Sequence, residues 1–138
     1  MFRNFFSARL GPLRGTPSLR RHKTYSAQTG YVYQYAYEGY RERRGRGGDG
    51  GTEFVFRVSS DTKNWGLVHV VLGNTVARAW EQAHAQTLSE TERYAIAKMA
   101  LFQAFDERLT PSLMKQPVRV RPADLDAILE TLGIDSDE

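Results

Sequence analysis

Tyr31, Tyr33, Tyr35 and Tyr37 occupy alternate positions, and Arg41, Arg43, Arg44 and Arg46 follow them in a stretch that ends Gly-Gly-Asp-Gly-Gly. Aromatic faces stack bases and guanidinium groups pair with phosphates. The combination therefore describes a platform for single-stranded RNA or DNA. A tyrosine at every second residue also describes one face of a β-strand turned toward a core, with the hydroxyls at its edge. The intervening Val32, Gln34, Ala36 and Glu38 are the more polar set, which favours the tyrosines as the covered face. The Arg/Gly stretch likewise reads either as a phosphate-tracking segment or as a flexible loop over 39–52, kept soluble by charge.

Other chemistry is thinly represented. Glu81 and His84 share a helical face, but Glu-x-x-His builds a di-iron centre only in two copies with two further Glu, and one copy is present. His69 stands alone in an apolar alternation. An enzyme built on His69 or His84 would need one of them to meet a carboxylate in a pocket. There is no Gly-x-Ser-x-Gly elbow, no phosphate loop and no dinucleotide fingerprint. Cysteine is absent, which excludes disulfides, thiolate metal sites and Cys nucleophiles. The expectation is no catalytic residue, no metal and no cofactor.

The elements that must carry these residues follow from periodicity. Alternation predicts strands over 31–37, 53–59 and 65–72, linked as an antiparallel meander, with Asp61 to Asn64 as a polar turn. From Asn74 the period changes. Val76, Ala79, Trp80 and Ala83 form a helical stripe with Trp80 facing the core. Ser89-Glu90-Thr91-Glu92 reads as a capping box. It opens a helix over 90–108 that is apolar nearly all round, as a buried central helix is. Val118 and Val120 predict a short edge strand. Pro122 starts a last helix with Leu125, Ile128, Leu129 and Leu132 inward and Gly133 closing it. The order β-β-β-α-α-β-α predicts an α+β fold: a three- to four-stranded, mainly antiparallel sheet with two to three helices on one face.

Charge divides the chain. Residues 1–37 hold six Arg or Lys and no acid, whereas 38–138 hold 13 basic and 16 acidic residues. An Arg-rich, acid-free start with Ser and Thr is the composition of a mitochondrial transit peptide. Its extent is expected as 1–27, with cleavage near Tyr25–Ser26; the alternative is a basic tail on a cytoplasmic protein. The domain is expected over 30–133, with an acidic tail over 134–138. No run approaches the ~20 apolar residues of a membrane-spanning helix. The mildly acidic remainder argues against general nucleic-acid affinity. The reading that results is a small non-enzymatic interaction module, an accessory or assembly subunit of a larger complex in the mitochondrial matrix, with a protein partner. The alternative is a single-strand nucleic-acid binder using the four tyrosines and four arginines.

Overall fold

The computed structural model describes residues 11–45 and 50–133. The expected tail at 134–138, Arg46 and the first ten residues of the expected leader lie outside that range. The chain forms β1 (Lys23–Ser26), β2 (Val32–Arg43), β3 (Gly51–Ser59), β4 (Gly66–Gly73), α1 (Asn74–His84), α2 (Glu90–Glu107), a 3-10 turn (Pro111–Lys115), β5 (Val118–Arg119) and α3 (Pro122–Leu132). The fold is α+β. Its five strands follow the order β1-β2-β3-β4-β5, antiparallel except for the short β4–β5 pair.

One face of the sheet meets the helices. Tyr33, Tyr35, Phe54, Phe56, Val58, Val68, Val70 and Leu72 close against Ala77 and Trp80 of α1, Ile96, Leu101 and Phe105 of α2, and Leu125, Ile128 and Leu129 of α3. Helix α2 is fixed at its start by the expected box. Ser89 Oγ accepts from the Glu92 N–H at 3.1 Å, and the Glu92 carboxylate accepts from the Ser89 N–H at 2.8 Å. The buried side of α1 is Ala77 and Trp80. Ala79 and Ala83 of the expected stripe are exposed instead, because the helix is rotated toward Val76 and Ala77. Helix α3 ends at Gly133 in the left-handed region, as expected.

Two expected boundaries change. First, the folded chain starts before residue 27. Lys23–Ser26 pairs antiparallel with Val32–Tyr35, so β1 is a fifth strand that the sequence reading missed. Tyr25 stacks on Phe102 at 4.4 Å and donates its hydroxyl to Asp106 Oδ2 at 2.6 Å. Asp106 Oδ1 accepts the Gln28 N–H at 2.9 Å. Further upstream, Arg14 and Tyr40 exchange both backbone hydrogen bonds, at 2.7 and 2.8 Å. A cut at Tyr25–Ser26 would divide β1.

Second, β2 runs on through Arg43. The register with β3 shifts between Tyr37 and Gly39. This bulge inserts one residue, so Tyr37 and Tyr40 fall on the same side although they are three apart. Gly39 has φ +133°, and a Cβ there would lie 2.6 Å from the Arg14 carbonyl oxygen. Only glycine allows the upstream segment to approach this closely. Arg41 and Arg43 are consequently strand residues, and the connection to β3 is shorter than the loop expected over 39–52.

Candidate functional site

The tyrosine ladder is largely consumed by the core. Tyr33 is 1 % exposed, its ring stacked on Phe105 at 4.2 Å. Tyr35 is 6 % exposed and meets Phe102 edge-on. Tyr37 packs between Phe56 and Tyr94. Burial raises the hydroxyl pKa of all three. Neither Tyr33 nor Tyr35 has a ring face open to a base, because α2 brings Phe102 and Phe105 onto them. Tyr31 precedes β2 and is 42 % exposed. It alone of the four has substantial open surface.

The arginines separate as well. The bulge turns Arg41 and Arg43 to the sheet face away from the helices, where both meet Glu53. That carboxylate is 4 % exposed. Its Oε2 lies 3.6 Å from Arg41 Nε and 2.7 Å from His69 Nδ1, and its Oε1 lies 3.5 Å from Arg43 Nε. The carboxylate accepts, so Nδ1 carries the proton. The His69 hydrogen bond, with the charges of His69, Arg41 and Arg43 behind it, holds the Glu53 carboxyl below its ordinary range, while burial opposes. A buried carboxylate among three cationic or donor groups is the arrangement that burial of a charge demands. Arg44 is exposed and makes no ion pair among the described residues.

His69 therefore does touch a carboxylate, but the two share a cross-strand cluster on the sheet, and among the described residues no Ser, Thr or Tyr hydroxyl is bonded to the imidazole. His84 stacks on Trp80 at 4.3 Å and bonds the Trp80 carbonyl oxygen through Nδ1 at 2.9 Å. Its helical neighbour Glu81 accepts from the Leu88 N–H and pairs with Arg93. Among the described residues there is no group of three or more His, Asp or Glu placed to hold a metal.

The feature with the most open binding chemistry is an edge. β5 pairs with β4 only at Val70 and Val71. Among the described residues, Gly66 to His69 have no strand on that side. The Val71 carbonyl accepts from the Val120 N–H at 3.0 Å, so residues of the same parity, Leu67 and His69, also aim their amide groups outward. Beside this free edge lies a groove of about 350 Å³. Its walls include Trp65, Leu67, Val68 and Met114 and the 3-10 turn from Pro111, and among the described residues Lys115 is the one charged side chain lining it. Leu67 is 51 % exposed there. Trp65 is braced by the Arg57 guanidinium, 5.0 Å from its ring centroid, and by His22, stacked at 4.7 Å.

Sequence reasoning missed Glu53, Leu67 and Lys115 as site residues. Glu53 sits opposite Val71 and two residues from the His69 partner Val55, so a correct β3–β4 register would have joined it to His69. The groove depends on where the 3-10 turn docks, which no local pattern specifies.

Comparison with protein-family models, with curated proteins and with solved structures returned no match.

Proposed function

We propose that this chain is a non-enzymatic interaction module that takes up an extended segment of a partner protein along the free half of β4. The observation that carries the reading is the outward-facing amide edge at Leu67 and His69, beside an apolar groove. An unpaired edge is a template for strand addition: main-chain hydrogen bonds supply affinity and the adjoining groove selects side chains. Lys115 gives the groove a positive bias, so the fitting occupant is an apolar strand carrying an acidic residue. The aromatic resources of the domain are spent on its core, which supports this reading over nucleic-acid stacking.

The reading extends to an accessory subunit of a larger mitochondrial assembly. The compartment rests on the acid-free basic N-terminus alone, and imaging of a C-terminal fluorescent fusion tests it. With Arg14 paired to Tyr40 and β1 beginning at Lys23, a leader compatible with the intact fold ends upstream of Arg14.

The decisive test compares the wild-type chain with Leu67→Pro. Proline removes an outward N–H and none of the β3 ladder bonds, so the fold is expected to survive. A partner retained by the wild-type chain in affinity capture should be lost by Leu67→Pro. It should also slow hydrogen exchange at the Leu67 and His69 amides of the wild-type protein. Equal capture by both forms would overturn the reading. A concentration-dependent dimer in light scattering, abolished by Leu67→Pro, would give the edge to a second copy of the chain.

A further inference from the structure

The groove beside the free half of β4 has a floor as well as walls. Tyr33 lines it, 1 % exposed, with its ring stacked on Phe105 at 4.2 Å. The Tyr33 hydroxyl is buried, yet among the described residues it has no hydrogen-bond partner. Of the four cavities described, this is the one that Tyr33 lines. Buried hydroxyls are ordinarily satisfied, because an unpaired one forfeits the bonds it makes in water. Burial, with Tyr31 nearby, raises the Tyr33 pKa, so at neutral pH the group is a protonated donor.

The inward face of β4 leads to this hydroxyl. Val68 and Val70 face the helices, and Gly66 shares their parity. A Cβ built at Gly66 would meet no atom within 4 Å, so that end of the face is open. A strand added along Gly66 to His69 places one side chain opposite Val68 on the same face, the face from which the groove is entered. Val58, Val68 and Met114 make the path apolar, and Lys115 is exposed beside it. The chain on each side of the groove, 58–68 and 111–118, is described throughout. Gly51 is about 26 Å away along β3 by strand rise.

We infer that the inward residue of the partner strand is a glutamate, whose carboxylate accepts from the Tyr33 hydroxyl and faces Lys115. The inference rests on the strand-addition reading and adds to it the position and chemistry of the selected side chain. The methylenes of glutamate suit the apolar path. Its carboxylate gives the buried donor a charge-assisted bond.

Four blocked heptapeptides, Thr-Val-Thr-X-Thr-Val-Thr with X as Glu, Gln, Leu or Lys, test the assignment on the full chain at low salt. Trp65 emission reports binding, since Trp80 is enclosed in the core. The Glu peptide is expected to bind about tenfold more tightly than the Leu peptide, with Gln between them and Lys weakest. Tyr33→Phe should bind the Leu peptide as the wild-type chain does and the Glu peptide about fivefold or more weakly. Its Tm should equal or exceed that of wild type, because no bond within the fold is lost. A Tm lowered by about 5 °C or more would show the hydroxyl bonded within the free fold and overturn the inference. Equal binding of the Glu and Leu peptides, or an unchanged preference in Tyr33→Phe, would overturn it and leave strand addition standing. Blocked free glutamate binding as tightly as the Glu peptide would give the pocket to a small molecule instead. Absence of binding by all four peptides, or binding unchanged in Leu67→Pro, would overturn strand addition and this inference with it.

Discussion

Replacing Tyr25 tests whether β1 belongs to the cooperative fold. Two substitutions separate the contributions. Tyr25→Phe keeps the ring on Phe102 and removes only the hydroxyl that donates to Asp106 at 2.6 Å. A hydrogen bond to a charged group contributes about 1.5–3 kcal/mol. Here Asp106 keeps the Gln28 N–H and the contact is only partly buried, so the lower end, about 1.5–2 kcal/mol, is expected. Tyr25→Ala also removes the stack on Phe102 and the tilted contact with Phe105 at 5.7 Å. Aromatic pairing is worth about 0.5–1.5 kcal/mol beyond area. A ring of this size half-buried adds roughly 1–1.5 kcal/mol. The total for Tyr25→Ala is about 3–5 kcal/mol, a large part of the roughly 5–15 kcal/mol of a small domain. Urea denaturation followed by circular dichroism reads both values, with an unchanged m-value expected. A Tyr25→Ala midpoint indistinguishable from wild type, within about 0.5 kcal/mol, would refute the reasoning and return the start of the domain to residue 30. The alkaline limb gives a second reading. Bonding to Asp106, burial and the Asp106 charge push the Tyr25 hydroxyl up to about 12. Its contribution is complete below the ordinary tyrosine value of 10 and fades as pH rises through about 12; Tyr25→Phe should remove that fade.

Gly39→Ala should destabilise the chain by about 1–3 kcal/mol, because the new Cβ meets the Arg14 carbonyl oxygen in a backbone conformation that L residues avoid; differential scanning calorimetry reads it, and hydrogen exchange at Arg14 and Tyr40 should accelerate. Glu53→Gln should cost about 1–3 kcal/mol at neutral pH by leaving Arg41 without its carboxylate. Since the Glu53 carboxyl is held below its ordinary range, its contribution is complete above that range and is lost as pH falls through the lowered value. The variant should therefore show a flatter acid limb in a pH series of urea midpoints.

Periodicity carried the fold class, four of the five strands and the helices, because a sheet face and a helix stripe must each repeat to be buried. It failed where the repeat is broken or too short. The bulge at Gly39 shifts the alternation by one residue, so a reader following Tyr31 to Tyr37 stops there and assigns Arg41 and Arg43 to a loop. β1 is four residues long with one half-buried side chain, Tyr25, in a basic stretch whose composition matches a leader. Its signal lies in Asp106, far away in sequence. The candidate sites were still less visible. The free edge of β4 is defined by a strand that is short rather than by a motif.

The latch between Tyr25 and Asp106 closes over 81 residues of chain, which places it in time as well as in space. The β1–β2, β2–β3 and β3–β4 pairs join neighbours in sequence and can form as they appear, whereas this contact must await α2. At synthesis rates of about 5–20 residues per second, Tyr25 emerges roughly 4–16 s before its partner exists. For those seconds β1 can rest on β2 without the aromatic shelf of Phe102 and Phe105. We predict that this long-range contact forms after the folding transition state, so that loosening the latch hastens unfolding and leaves the folding rate nearly unchanged; a φ-value near 1 for Tyr25→Phe would refute it.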